Sequence, residues 1–274
     1  MATALDIDSP YTLTDEQITS FRQRGFIKLK EVLSSDVLAH YGLEFTQKVH
    51  ELNKNTLPME ERSTYKKAFI QIGNLWKKSG LIEKFVFGKR LPRIAAELMA
   101  TRGVRMYHDQ ALYKEAGGGF TPWHADQFYW PLATEKCYTV WIPLQNTPLE
   151  MGAMAFAEGS NSFTYGRDLS ISDESEQMIQ SALSDARFPY IQGPYDLGEV
   201  SFHYGWTFHR ADGNQTDRPR EVMTIIYMDI DMRLKKPDNE NQQRDWEGCC
   251  PGAQIGEIID TPNNPVLYEK KAGD

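Results

Sequence analysis

Cysteine is scarce. The 274 residues hold three, Cys137, Cys249 and Cys250, two of them adjacent. They cannot all pair, which excludes the disulfide framework of small secreted domains and points to a reducing, cytoplasmic setting. No second Cys pair or Cys/His grouping stands at zinc spacing, so a thiolate structural zinc site is not expected. Positive charge is also in deficit: 30 Lys and Arg face 38 Asp and Glu, a formal charge of −8. An acidic surface repels phosphate backbones and disfavours a nucleic-acid partner. No apolar run approaches the roughly 18 residues of a bilayer span. The opening MATALDIDSPYTL has neither the basic nor the apolar block of a signal peptide. Neither a membrane association nor export is therefore expected. What is present is an ordinary globular balance, 41% hydrophobic and 12% aromatic, and a length that suits one large domain.

Residues 1–13 read as a loose lead-in, followed by a helical front over 14–104. Thr14 and Gln17 form a capping box, Ile18 and Phe21 an apolar stripe, and Gly25 suits a left-handed helix end. Phe26–Leu29 alternates like a short strand. Ser35 or Asp36 caps a second helix carrying Val37, Tyr41, Phe45, Val49 and Leu52 at three- and four-residue intervals. Residues 59–100 read as short helices. From about 105 to 232 short apolar segments alternate with turn residues, giving expected strands at 104–113, 121–128, 136–144, 151–157, 198–204, 206–210 and 220–230. The fold class is thus mainly β with flanking helices, a sandwich or jelly roll. An insertion at 160–197, long enough for a lid, carries one helix with Asp173 and Glu176 as its capping pair. The polar stretch after 233 reads as an arm packed back through Trp246, Val266, Leu267 and Tyr268.

Of the six histidines, His40 and His50 belong to the second helix and are expected to be solvated or to pack between helices. His124-Ala-Asp126 lies in an expected strand, where residues two apart share a face. Imidazole and carboxylate would then converge on one point. His203 and His209 are six residues apart, so either is able to complete a two-histidine, one-carboxylate set, although Gly205 breaks the register between them. Such a facial triad leaves three coordination positions open and suits non-haem Fe(II). Further along, Arg220 heads a strand face shared by Val222, Thr224, Ile226 and Met228. A guanidinium there is suited to holding a carboxylate through two parallel bonds.

These pieces, in this order, resemble the phytanoyl-CoA dioxygenase family of Fe(II)/2-oxoglutarate oxygenases. Trp123-His124-Ala-Asp126 resembles its H-x-D segment, and Trp141-Ile-Pro-Leu144 its W-I-x-L strand. Met151 to Asn161 resembles a strand and turn that usually end P-G-S-H. Gly198 to His209 resembles its G-D-x-x-x-F-H-x-x-x-x-H block, and Asn214 to Arg220 its N-x-S-x-x-P-R run. Glu199 and Asn161 depart from the usual Asp and His, both at turns.

The resemblance implies a double-stranded β-helix, the cupin-like jelly roll. It also implies a metal set of His124, Asp126 and His209, because Arg220 follows His209 by eleven residues as the co-substrate arginine follows the iron histidine in the family. Arg220 would bind the far carboxylate of 2-oxoglutarate, with Trp141 and Thr139 near the co-substrate and Gln110, on the preceding strand, a candidate for its other end. His203 becomes a supporting histidine. The retained Asp126 argues against halogenation, which needs a small residue there. Fe(II), 2-oxoglutarate and O2 are the implied cofactors. A small natural-product or lipid-like molecule is the expected substrate, with Phe128, Trp130, Trp206 and Arg210 as candidate contacts and an anionic group near Arg210. An acyl-CoA hydroxylase, a non-oxygenase metal enzyme and a non-catalytic binding protein on the same fold are the alternatives. Oligomeric state is left open.

Overall fold

The computed structural model describes residues 5–54 and 57–271; residues 1–4 of the expected lead-in, 55–56 and the last three of the arm lie outside the described residues. In chain order the elements are α1 (Asp15–Arg24), β1 (Phe26–Leu29), α2 (Ser35–Leu52), α3 (Thr64–Ala68), β2 (Ile70–Gly73), α4 (Gly80–Val86), α5 (Arg90–Met99) and β3 (Gly103–Tyr113). There follow β4 (Thr121–His124), β5 (Cys137–Pro143), β6 (Met154–Ala157), α6 (Asp173–Asp185), β7 (Tyr190–Gln192), β8 (Val200–Tyr204), β9 (His209–Ala211), β10 (Val222–Asp229), α7 (Glu240–Cys249) and β11 (Val266–Glu269).

Two antiparallel sheets form the jelly roll. The larger runs β1-β8-β5-β10-β3-β11, with β2 also on β3, and the smaller runs β4-β9-β6-β7. Strand alternation divides the large sheet. Tyr138, Val140 and Ile142 of β5, with Met223, Ile225 and Tyr227 of β10, pack with the helices α2, α4 and α5 in one core. The opposite parity, Trp141 and Val222, meets Phe26, Met154 and Phe156 between the sheets. The period of two thus aims one set of side chains at the helical layer and the other at the interior of the roll. The α1 capping box forms as expected, and Gly25 takes φ 81° at its end. A side chain on Gly25 would collide with Asn161 and Thr207, in the turn that leads to His209.

Several boundaries differ from the sequence reading. α2 is capped by Ser34, one residue earlier than expected. α6 is capped by Ser172 with Ser175, because Glu176 is used elsewhere. The strand expected over 121–128 ends at His124, and Asp126–Tyr129 is a 3-10 turn. The strand expected from 151 begins at Met154 after a turn at Leu149–Met151. That expected at 206–210 is His209–Ala211. The lead-in is not loose over its described part: Arg90 pairs with Asp6 at 2.6 Å, and the Arg90 amide donates to the Ile7 carbonyl. Four elements were not foreseen, β2, β7, α7 and β11. The arm does return, as β11 on β3, but with Leu267 buried and Val266 exposed. No helix among the described residues is long and apolar enough to cross a membrane.

Candidate metal centre

His124 ends β4 and His209 begins β9, and the two are register partners in the small sheet. Each ring is locked the same way. Nδ1 of His124 donates to the Pro122 carbonyl at 2.7 Å, and Nδ1 of His209 to the Thr207 carbonyl at 2.9 Å. A donor at Nδ1 fixes the tautomer that leaves Nε2 free as a ligand. Burial pushes both imidazoles down to about 4, so they stay neutral, the form a metal needs. β9 is itself held by Ser160, whose Oγ accepts from the Phe208 amide at 2.9 Å.

Asp126 reaches the same point by a different route from the one expected. It is the first residue of the 3-10 turn rather than a strand neighbour of His124. Its two oxygens have separate tasks. Oδ1 lies 3.6 Å from His124 Nε2 and 3.8 Å from His209 Nε2. Oδ2 accepts from Thr139 Oγ1 at 2.9 Å and from His203 Nε2 at 3.3 Å. Burial alone would raise this carboxyl, but His209 and the His203 hydrogen bond outweigh it and hold it well below the usual range. One ligand atom from each of His124, Asp126 and His209 lies within 4.8 Å of the others. His203 stands behind the carboxylate instead, fully buried on β8. Its spacing to His209 left the choice between them open; the position of Asp126 Oδ2 separates them.

A cavity of about 600 Å³ opens over this group. At its inner end Arg220 is 2% exposed and has no carboxylate partner among the described residues. Its Nη1 donates to the Gly152 carbonyl at 2.6 Å, Nε has no partner, and the guanidinium lies 5.4 Å from the Trp141 ring centre. Gly152 holds φ 82°, and a side chain there would collide with the Asp212 carbonyl. Burial pushes Arg220 down to about 10, the sign of a charge without a counter-ion.

Among the remaining sequence candidates, Thr139, Trp141, Gln110, Trp130 and Arg210 line the cavity. Gln110 is already engaged, accepting from Gln71 Nε2 at 2.6 Å. Arg210 is engaged too, with Glu176 and Asp212 both at 3.2 Å, so an anionic group is not needed to balance it. Phe128 and Trp206 do not line the cavity. They border a separate recess, and Trp206 carries Arg167 on its ring at 4.5 Å. The 3-10 turn after His124 takes Phe128 off the face that a continuous strand would have shown, and Trp206, between β8 and β9, packs against the cluster of Trp123, Ile179 and Phe208, so neither stands where it was expected.

Sequence reasoning missed two walls. One runs from Tyr65 to Asn74, and the other is made by α7 with His108. His108 shares the strand parity of Gln110 and was findable on that ground. The α7 start had a weak signal, Asn239 three residues before Gln242, whose amide the Asn239 side chain accepts at 2.9 Å.

The first wall is anchored by Asp109. Its carbonyl accepts from the Asn74 amide, and its Oδ2 from the Trp76 amide at 3.0 Å, while Oδ1 is buried without a partner. Burial pushes this carboxyl up to about 7. The folded chain therefore keeps a proton that the unfolded chain loses near pH 4, and stability falls as pH rises across that window. Asp109→Asn is expected to flatten this slope and to be the more stable form at pH 7.5, by up to about 4 kcal/mol. Urea midpoints at pH 5 and pH 7.5 check it; equal slopes in both proteins would refute it.

The sequence matches the family described as Phytanoyl-CoA dioxygenase (PhyH) over residues 21–222. No curated protein matches it significantly. Among solved structures, the chain is similar to the non-haem alpha-ketoglutarate-dependent carbocyclase SnoK from nogalamycin biosynthesis, at 22% identity and a TM-score of 0.76, with 95% of this chain and 100% of that one covered. It is also similar to the epimerase SnoN in complex with Fe3+, alpha-ketoglutarate and a nogalamycin compound, at 21% and 0.76, covering 93% and 98%. EctD from S. alaskensis with 2-oxoglutarate and 5-hydroxyectoine follows at 18% and 0.71, covering 93% and 92%.

Proposed function

The chain belongs to the phytanoyl-CoA dioxygenase family, and from that premise we propose that it is an Fe(II)/2-oxoglutarate-dependent oxygenase acting on a small organic molecule. The observation that carries this reading is Arg220. A buried guanidinium that lines the same cavity as a two-histidine, one-carboxylate group, with no acid among the described residues to neutralise it, calls for an anionic ligand that reaches the metal. A 2-oxo dicarboxylic acid has the chelating end and the charged far end to do both. The donor set of two neutral imidazoles and one carboxylate, without thiolate, fits Fe(II).

Under this reading His124, Asp126 and His209 hold the metal, and Arg220 takes the distal carboxylate with Trp141 packed under its guanidinium. Fe(II) and 2-oxoglutarate, when bound, supply O2 activation and oxidising power sufficient to take hydrogen from a C–H bond. The chain's own work is positioning and exclusion. Thr139 and His203 keep Asp126 Oδ2 occupied, so that Oδ1 is the oxygen presented. The Pro122 and Thr207 carbonyls hold the imidazole planes. The cavity wall of Tyr65, Tyr129 and Trp130 keeps bulk water from the reacting carbon. Which bond is oxidised depends on where these walls hold the substrate, and the cavity volume lies in the range of small-molecule sites. The relatedness to SnoK and SnoN, by name a carbocyclase and an epimerase, supports including ring closure and epimerisation beside hydroxylation among the outcomes.

The test is anaerobic. Metal-free protein receives Fe(II) and then 2-oxoglutarate, and the weak visible charge-transfer band of a chelated 2-oxo acid is followed. The band is expected only when both are present. Its absence from folded, iron-loaded protein would overturn the oxygenase reading.

A further inference from the structure

One cavity wall is α7, which contributes Arg244, Asp245 and Cys249 to a cavity that His108 of β3 also lines. Asp245 is the feature without an explanation. One oxygen accepts from the buried Tyr107 hydroxyl, and the Cys249 thiol lies 3.6 Å from the other. Both donors are neutral. No Lys or Arg pairs with Asp245 among the described residues; the adjacent Arg244, which also borders the cavity, pairs with Glu240 at 3.1 Å instead. Burial pushes the Asp245 carboxyl up, with His108 pulling against it, and burial holds the His108 imidazole down toward its neutral form.

Arg210 offers no free positive charge to the cavity, because both Glu176 and Asp212 pair with it. On the oxygenase reading, on which this step rests, Fe(II), Asp126, Arg220 and a 2-oxoglutarate dianion carry no net charge together. Of the two carboxylates that line the cavity, Asp126 and Asp245, only Asp245 is then without a cationic partner among the described residues. Tyr107 and Cys249 fix its direction, since a carboxylate held by two donors at its edges still offers lone pairs toward the cavity.

We propose that Asp245 is a specificity-determining residue that receives a cationic nitrogen of the substrate, a protonated amine or a guanidine, attached to an apolar or aromatic body that lies along Tyr129 and Trp130. This is the opposite charge from the one that Arg210 alone would suggest. It also gives α7 a function: the arm closes the roll with a recognition group that the jelly roll itself lacks.

The experiment uses three probes of one shape, 2-phenylethylamine, 2-phenylethanol and phenylacetate. Each is titrated by calorimetry into the full-length Zn(II)-loaded protein with 2-oxoglutarate present, so that Asp126 is neutralised and no turnover occurs. The amine is expected to bind about tenfold or more tighter than the other two. Asp245→Asn should remove that preference and Asp245→Glu should keep part of it, both with an unchanged thermal midpoint within a few degrees. If Asp245→Asn does not fold, Tyr107→Phe with Cys249→Ala, which frees the carboxylate, must change the amine affinity alone. Equal binding of the three probes, no amine binding, or a preference that survives in Asp245→Asn would overturn the proposal. The visible band of the Fe(II) protein is recorded separately. A band without amine preference removes only the role of Asp245, whereas amine preference without a band retains the cation site and removes the oxygenase reading.

Discussion

Arg220→Met is expected to fold, to bind Fe(II) as the wild type does, and to need roughly 10²–10⁴ times more 2-oxoglutarate for the visible band. The fork contributes two charge-assisted bonds of about 1.5–3 kcal/mol each, and methionine contributes neither. The same variant makes a second, opposite prediction. Arg220 is buried, its Nε is unpartnered and no carboxylate among the described residues balances it. Replacing an uncompensated buried charge by an apolar chain of similar length should leave the ligand-free protein at least as stable as the wild type. Loss of co-substrate binding together with retained or raised stability is a combination that a merely structural arginine would not produce. Denaturant midpoints and the anaerobic titration measure the two halves. A shift below tenfold in the 2-oxoglutarate requirement would remove Arg220 from the proposed role.

The second large effect is on the metal. Asp126→Ala is expected to weaken Fe(II) binding by more than about a hundredfold, since losing even a supporting partner costs 10–100-fold. His209→Ala should behave the same way. His203→Ala should cost less, because His203 reaches the site only through Asp126 Oδ2 at 3.3 Å, while His209 Nε2 faces Oδ1. Competition with a chromophoric chelator ranks the three. If His203→Ala proved as damaging as His209→Ala, the division of labour between the two carboxylate oxygens would be wrong.

Much of this arrangement was legible before any coordinates, for a local reason. A strand repeats every two residues, so Cys137, Thr139 and Trp141 had to share one face, and Arg220, Val222 and Thr224 another. The two sets line the interior of the roll in antiparallel register, Thr224 opposite Trp141. The capping box at Thr14 and the left-handed Gly25 were equally local. Errors arose where the period changed without a strong signal. Nothing in Asp126-Gln-Phe-Tyr129 forbids a strand, yet the chain turns there, and with it Phe128 leaves the cavity. α7 was missed because it is polar almost throughout and buries only Gln242, so no apolar stripe announced it.

What the sequence determined by itself, then, is a short set of candidates, His124, Asp126 and Arg220 with either His203 or His209, and the family resemblance chose His209 among them. Spacing of two along a strand pointed to His124 and Asp126, although the turn at Asp126 brings them together by another path. Tertiary structure alone decided which charges meet. It paired Arg210 with Glu176 from the insertion, placed His203 behind Asp126, and brought Asp245 from α7 to the cavity that His108 also lines. These encounters join elements dozens of residues apart. They depend on where loops return the chain, a property that no local period of the sequence records.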